Sequence, residues 1–222
     1  MIPYSLYDIS NWNNTVGYGW QAFPKIKFYG SFFYGLTTVN SNLNSMGERP
    51  DSNFLGGHIS ANGDLSENLE VSLQLGYQRR SFDRLTNFLE KNNHELPIFQ
   101  ANIDYKYTEK GGVVLSYKRG GNVSVENPNT AVESDFLTLS INQMIGTSGK
   151  LRGTLGFAYQ LDTYQTEDSI EYEFIRFNTG ISYGFNQWMR CSLNYGLDLL
   201  NTNQANIDYK SNMFKLVFSV GY

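Results

Sequence analysis

The last eleven residues, Asn212-Met-Phe-Lys-Leu-Val-Phe-Ser-Val-Gly-Tyr222, divide into two unlike sets at a period of two. Phe214, Leu216, Phe218, Val220 and Tyr222 fall on one parity, and Met213, Lys215, Val217, Ser219 and Gly221 on the other. Successive side chains of a β-strand point to opposite faces. The stretch is therefore a strand with one apolar face and one mostly polar face.

The same alternation recurs upstream. A weak stretch covers residues 4–11, where Asp8 interrupts the apolar parity. Clear stretches follow at 15–23, 26–40, 53–65, 69–80, 99–107, 113–118, 137–145, 151–162, 175–185 and 191–199. Many exceed the five or six residues of an ordinary soluble strand and match the nine to eleven that cross a bilayer at a tilt. The connections alternate in length. Those near 24, 67, 111, 148 and 186 are short, and those near 46, 89, 128, 167 and 205 are long. Short turns on one side and long loops on the other is the arrangement of an up-and-down membrane barrel. Neither a 20- to 50-residue repeat nor helical periodicity stands against it.

Composition agrees. Of 222 residues, 17% are charged and 15% aromatic, and there are 21 glycines. Mean hydropathy is −0.39, and no run approaches the roughly 20 apolar residues of a spanning helix. A net charge of −4 argues against a nucleic-acid partner. One cysteine, Cys191, and two histidines exclude an intrachain disulfide and the four-ligand zinc sites built from Cys and His. Met1-Ile-Pro-Tyr-Ser-Leu-Tyr-Asp8 has neither the basic start nor the apolar core of a signal peptide. An exported barrel would then be present as its mature form or as a C-terminal part.

The two parities differ in charge. One carries Leu, Ile, Val, Phe and Tyr almost alone. The other carries Lys27, Arg80, Lys106, Lys118, Arg152, Arg176, Arg190 and Lys215 beside Asp64, Glu70, Asp104, Asp162 and Asp198. Packing so many charges into a soluble core costs far more than it returns unless all are paired, whereas a wet lumen tolerates them. We therefore expect Lys27, His58, Lys106, Lys118, Arg152, Arg176, Arg190, Lys215, Asp104, Asp162 and Asp198 to line a lumen. The excess of bases would bias passage toward anions such as acidic sugars. Alternatively, bases and acids pair and brace a closed barrel. Trp20, Tyr34, Tyr77, Tyr107, Tyr183, Phe185, Trp188 and Tyr222, near strand ends, fit interfacial girdles.

A strand that closes on a terminal aromatic resembles the last strand of bacterial outer-membrane β-barrels. Over roughly residues 54–222 the chain resembles the β-barrel porin type 2 group, often found with exopolysaccharide synthesis and export systems. The resemblance rests on Gly76-Tyr-Gln-Arg-Arg80, Phe157-Ala-Tyr159 and Gly180-Ile-Ser-Tyr183. It continues through Gln187-Trp188 before Ser192-Leu-Asn-Tyr195, and Asp208-Tyr-Lys-Ser-Asn212. It implies a passive outer-membrane conduit or secretion partner, with no catalytic residue to carry over.

Three local patterns admit sharper readings. His58-Ile-Ser60 places a base and a hydroxyl on one face, as in a lipid hydrolase, but on the polar parity rather than the one turned to lipid. Asp83-Arg84 and His94-Glu95, read as part of a long loop over 81–97, are residue types found at the rim of barrel proteases. Glu167, Asp168, Glu171 and Glu173 could hold Ca²⁺, but an exposed charge cluster is ordinarily solvated.

The sequence thus predicts an all-β, transmembrane, antiparallel up-and-down barrel as a single domain over 1–222. We expect about twelve strands, with residues 4–11 as the first and a turn at Trp12-Asn13-Asn14. Ten strands plus an N-terminal segment, or part of a larger barrel, are the alternatives. The last strand would close against residues 4–11 or 26–40. We expect a non-enzymatic conduit or export component without cofactor or metal. A structural barrel with a blocked lumen, or a His58/Ser60 hydrolase, are alternatives. Expected partners are outer-membrane lipid and lipopolysaccharide, the barrel-assembly machinery and secretion-system proteins. The long loops would face outward and the C-terminus the periplasm.

Overall fold

The computed structural model describes residues 7–41, 51–83, 93–123, 131–164, 170–204 and 208–221. Among these residues eleven strands form one antiparallel sheet in chain order. They are β1 (Tyr7–Phe23), β2 (Ile26–Ser41), β3 (Ser52–Ser66), β4 (Leu69–Phe82), β5 (Asn93–Thr108) and β6 (Gly111–Val123). β7 (Ala131–Ile145), β8 (Leu151–Tyr164), β9 (Ile170–Gly184), β10 (Met189–Thr202) and β11 (Tyr209–Val220) complete the order. Among the described residues the sheet is open, with β1 and β11 as its edges. Alternation over an odd number of strands makes those two edges run in the same direction.

The count corrects the expectation of twelve strands. Residues 7–11 and 15–23 are halves of one strand, and Trp12-Asn13-Asn14 is not a turn. β2 extends far enough to pair with all of β1, from Tyr7↔Ser41 to Phe23↔Ile26. A turn at Asn13 would forfeit that ladder and the edge-on contact of Trp12 with Tyr34, whose ring centroids lie 6.2 Å apart. Tyr4 and Tyr222, on which parts of the closure argument rested, lie outside the described residues. Among the described residues neither expected closure is present: β2 pairs with β1 and β3, and β11 with β10.

The short turns fall where expected, and glycine is needed in one of them. Between β7 and β8 the backbone enters the left-handed region at Gly146 (φ 77°) and Gly149 (φ 65°), which only glycine adopts without strain. Between β9 and β10, Asn186 Oδ1 accepts hydrogen bonds from the amides of Trp188 and Met189, both at 2.9 Å, and so sets the reversal.

At the opposite end every strand outruns its apolar pattern. Both ends of the 81–97 stretch, read as loop, are strand: β4 continues to Phe82, β5 begins at Asn93, and Ser81 pairs with Asn93. Likewise β6 runs to Val123 and β7 starts at Ala131. The added rungs place Arg79 opposite Glu95 and Arg119 opposite Asp135 on the otherwise apolar face. Backbone ladder bonds do not require apolar side chains, so the strands rise beyond the greasy band. Pro97 is tolerated inside β5 because pairing with β6 has ended at Phe99↔Arg119, leaving no rung for its missing N–H.

These charged rungs bound the apolar band. On β8 it runs Leu151, Gly153, Leu155, Phe157, Tyr159, against Tyr183, Ile181, Thr179, Phe177 and Ile175 of β9. Nine residues span about 30 Å along a strand and about 23 Å once tilted near 40°. That matches the roughly 25 Å band of a membrane barrel. Its side chains stay bare: Val16, Ile59, Leu216 and Phe218 are each at least 60% exposed. Lipid is the solvent that such a face requires.

Candidate functional site

The strand register places the charges predicted from alternation on one face. Rung by rung, Lys27 meets Asn62, His58 meets Ser31 and Gly76, and Lys118 meets Gln100 and Phe136. Arg152 meets Ser182, Asp162 meets Ser134 and Tyr172, and Lys215 meets Asn194. Arg190 and Asp104 share this face, as does Lys106 by alternation along β5. The opposite face is the apolar band, so each strand separates a lipid-compatible surface from a water-compatible one.

Within the polar face the residues form distinct groups. Arg176 donates to both oxygens of Asp198, Nε to Oδ1 at 2.7 Å and a terminal nitrogen to Oδ2 at 3.3 Å. Asp162 accepts from the Ser134 hydroxyl at 2.6 Å and the Gln160 amide at 2.8 Å. Near the short turns, Asp64, Glu70 and Asp104 occupy one rung across β3, β4 and β5. On the far side of the sheet, at the same level, Lys150, Arg152 and Arg190 line a recess of about 320 Å³. The turn end therefore carries these three acids close to Lys27 and Lys106 on β2–β5, and the bases Lys150, Arg152 and Arg190 around β8–β10. Among the described residues, Arg176–Asp198 is the ion pair on this face.

His58 is placed beside Ser31 rather than Ser60. The Ser31 hydroxyl lies 3.1 Å from Nδ1 and 2.9 Å from Nε2, close to the ring edge between them, so it serves one nitrogen at a time. Ser60 points to Tyr29 and Gln74 in the ladder. The pair sits on the polar face, away from the surface that would meet lipid. His94 and Glu95, read as loop residues, lie in β5 on opposite faces. Glu171 and Glu173 are also strand residues. The Glu171 amide donates to Asn203 Oδ1 and the Glu173 carboxylate accepts from Asn201, while Glu167 and Asp168 lie outside the described residues.

The densest packing on this face lies near the long-loop end of β2–β5. Phe54, Phe82 and Leu96 are buried together with Thr37, Ser52, Gln78, Arg80 and His94. Arg80 is 5% exposed and stacks over the Phe54 ring, 4.8 Å from its centroid. It donates to the Ser52 hydroxyl at 2.9 Å and the Thr37 hydroxyl at 3.3 Å, and Thr37 in turn donates to Asn11 Oδ1 at 2.8 Å. Among the described residues no carboxylate bonds it, and its Nε is buried without an acceptor. A buried cation held by hydroxyls and one aromatic face, without a carboxylate, is a net cost. Arg80→Met is therefore expected to raise stability by about 1 kcal/mol, read as a higher guanidinium midpoint in vesicles. A fall of similar size would show that the charge is compensated.

Two features lay beyond the sequence reading. One is this buried cluster, since alternation gives the face of Arg80 but not its depth. The other is a set of aromatic rings on the polar face near the long loops: Phe136, Tyr164, Tyr172, Phe174 and Tyr209. Tyr172 and Phe174 share the parity of Arg176, a signal hidden because Glu171 and Glu173 interleave with them.

A family model described as "Putative beta-barrel porin 2" matches residues 8–221. Among solved structures, the chain is similar to the outer membrane channel DcaP of Acinetobacter baumannii. Identity is 12% and TM-score 0.57, over 94% of this chain and 62% of that one. It is also similar to a chain in the FpvAI–pyocin S2 complex, at 12% identity and TM-score 0.55, over 97% of this chain and 36% of that one. A loop L8 deletion mutant of OmpT, an outer membrane protein of Vibrio cholerae, aligns at 10% identity and TM-score 0.50. That alignment covers 97% of this chain and 99% of that one. The chain thus spans less than two thirds of the first two structures. At these identities the likeness concerns the fold, and it is the fold of outer-membrane barrels. No curated protein matches the chain.

Proposed function

Because the chain belongs to the putative β-barrel porin 2 family, we propose that it acts as a non-enzymatic conduit of the bacterial outer membrane, serving polysaccharide export. The observation that carries this reading is the division of faces. On strand after strand, charged and amide side chains lie opposite a bare apolar band of membrane height. A surface of that kind costs little only against water, so the polar side is the wall of an aqueous path. The long loops face outward and the short turns face the periplasm, in keeping with the usual asymmetry of such barrels. Lipopolysaccharide contacts the charged rungs above the band. The barrel-assembly machinery inserts the chain, and export proteins meet it at the periplasmic rim.

The polysaccharide assignment has two supports. One is the group with which the sequence shares its tyrosine-rich strand motifs. The other is a lumen wall rich in amide, hydroxyl and aromatic groups, the chemistry that polyhydroxylated solutes require. A second reading, a barrel with a blocked lumen, is favoured by the packed cluster around Arg80 and Leu96, which narrows the wall at the long-loop end.

Planar-bilayer recording separates the two. The conduit reading expects discrete ohmic steps, with a reversal potential displaced toward anions. The displacement follows from Lys27, Lys106, Lys118, Arg152, Arg176, Arg190 and Lys215 outnumbering Asp64, Glu70, Asp104, Asp162 and Asp198 on the polar face. Protein that inserts but passes no current would sink it in favour of the blocked barrel.

A further inference from the structure

The aromatic rings near the long-loop end of the polar face enclose a recess of about 620 Å³, within the roughly 300–1,000 Å³ of small-molecule sites. We propose that this recess binds an uncharged sugar unit, stacked on Tyr172 and Phe174. The inference rests on the conduit reading for its setting, because it places the site on the wall of the path.

Tyr172 and Phe174 are two residues apart on β9 and project from the same face. Their ring centroids lie 6.5 Å apart and their planes differ by 20°, so the two rings lie nearly parallel as one aromatic platform. Tyr164 of β8 stands against Tyr172 at 5.3 Å and 64°, as a side wall. Hydrogen-bonding groups rim the platform. Asp162 is fixed by Ser134 and Gln160, and the Arg176–Asp198 pair lies on the other flank.

A pyranose ring has the complementary division. Its C–H face is apolar and weakly positive, and it suits the negative face of an aromatic ring. Its equatorial hydroxyls need donors and acceptors around the edge. An acyl chain would leave the Asp162 and Arg176 flanks desolvated without partners. An acidic sugar would meet two carboxylates, Asp162 and Asp198, against one guanidinium. The local balance of one negative charge selects an uncharged unit even though the whole face carries an excess of bases.

The test uses the full chain folded in detergent, with cellohexaose as probe and hexagalacturonate as the acidic comparison. Binding is read by saturation-transfer NMR and titration calorimetry. Cellohexaose is expected to bind, and Tyr172→Leu/Phe174→Leu to weaken it roughly tenfold. Leucine keeps apolar bulk and removes the π faces; retained β circular dichroism and heat-modifiable gel migration verify folding of the variant. Asp162→Asn, which removes one of the two carboxylates, is expected to improve hexagalacturonate binding. The proposal is overturned by no cellohexaose binding, by equal binding to the double-leucine variant, or by tighter binding of hexagalacturonate to the unaltered protein. Bilayer recording keeps the two readings apart. Binding without conductance removes the conduit and leaves the site, whereas conductance unaffected by a sugar that does not bind removes the site and leaves the conduit.

Discussion

Leu155→Arg is expected to cost the folded protein about 2–4 kcal/mol, the penalty for an arginine at the midplane of a barrel's lipid face. Leu155 lies in the middle of the Leu151 to Tyr159 band on β8, between Ile141 of β7 and Thr179 of β9. It is 38% exposed, and its cross-strand neighbours Ile141 and Thr179 offer a guanidinium no carboxylate. The reference is Thr138→Arg on β7, which projects to the other face between Ser116 and Ala158. There the guanidinium meets water, and the change is expected to stay within about 1 kcal/mol. Guanidinium unfolding in phospholipid vesicles measures both. Equal penalties at the two positions would mean that the faces do not divide lipid from water.

A second large effect is expected at Leu96. Its side chain is fully buried on the polar face and covers Gly121. A Cβ added at Gly121 would collide with a Leu96 methyl, which shows how completely the leucine fills that space. Leu96→Ala removes three carbons from a packed position and is expected to destabilise by about 2–5 kcal/mol. The loss should be local first. Amides of Gln78 and Arg80 on the neighbouring strand should exchange faster, while those of β8 and β9 keep their protection. Hydrogen exchange followed by mass spectrometry reads this. A loss below about 1 kcal/mol would mean that the cluster around Arg80 is loosely packed.

The division of faces was legible in the sequence because the side-chain period of a strand is two and the apolar band is long enough to repeat it on each strand. Turn positions were legible for a related reason. Pro24, the Gly111-Gly112 pair, and Gly146 with Gly149 interrupt the alternation where short turns fall. Strand ends at the long loops were not legible. Alternation was traced through apolar residues, and it fades where Arg79, Glu95, Arg119 and Asp135 occupy the apolar parity above the band. Those rungs are held by backbone bonds and charge pairing, as in the 3.0 Å contact of Arg119 with Glu133. Asn13-Asn14 looked like a turn because asparagine favours turns, and the long partner β2 overrode that preference.

The candidate site shows the same split. Membership of the polar face follows from parity, so Arg176 and Asp198 were both assigned to it. Their pairing depends on cross-strand register, which a single sequence does not state. The Tyr172–Phe174 platform was obscured by the two glutamates between and beside its rings. The depth of Arg80 depends on packing across four strands, from Thr37 of β2 to His94 of β5.

The two-faced transmembrane strand is the claim on which conduit, lumen wall and sugar site all depend. Its most direct measurement is cysteine accessibility along β8, with Cys191 replaced by alanine and single cysteines placed at each position from 151 to 159. In vesicles, a membrane-impermeant maleimide is expected to label positions 152, 154, 156 and 158. Positions 151, 153, 155, 157 and 159 should react only with a lipid-soluble reagent. Equal labelling of both parities, or a pattern without the period of two, would contradict the account.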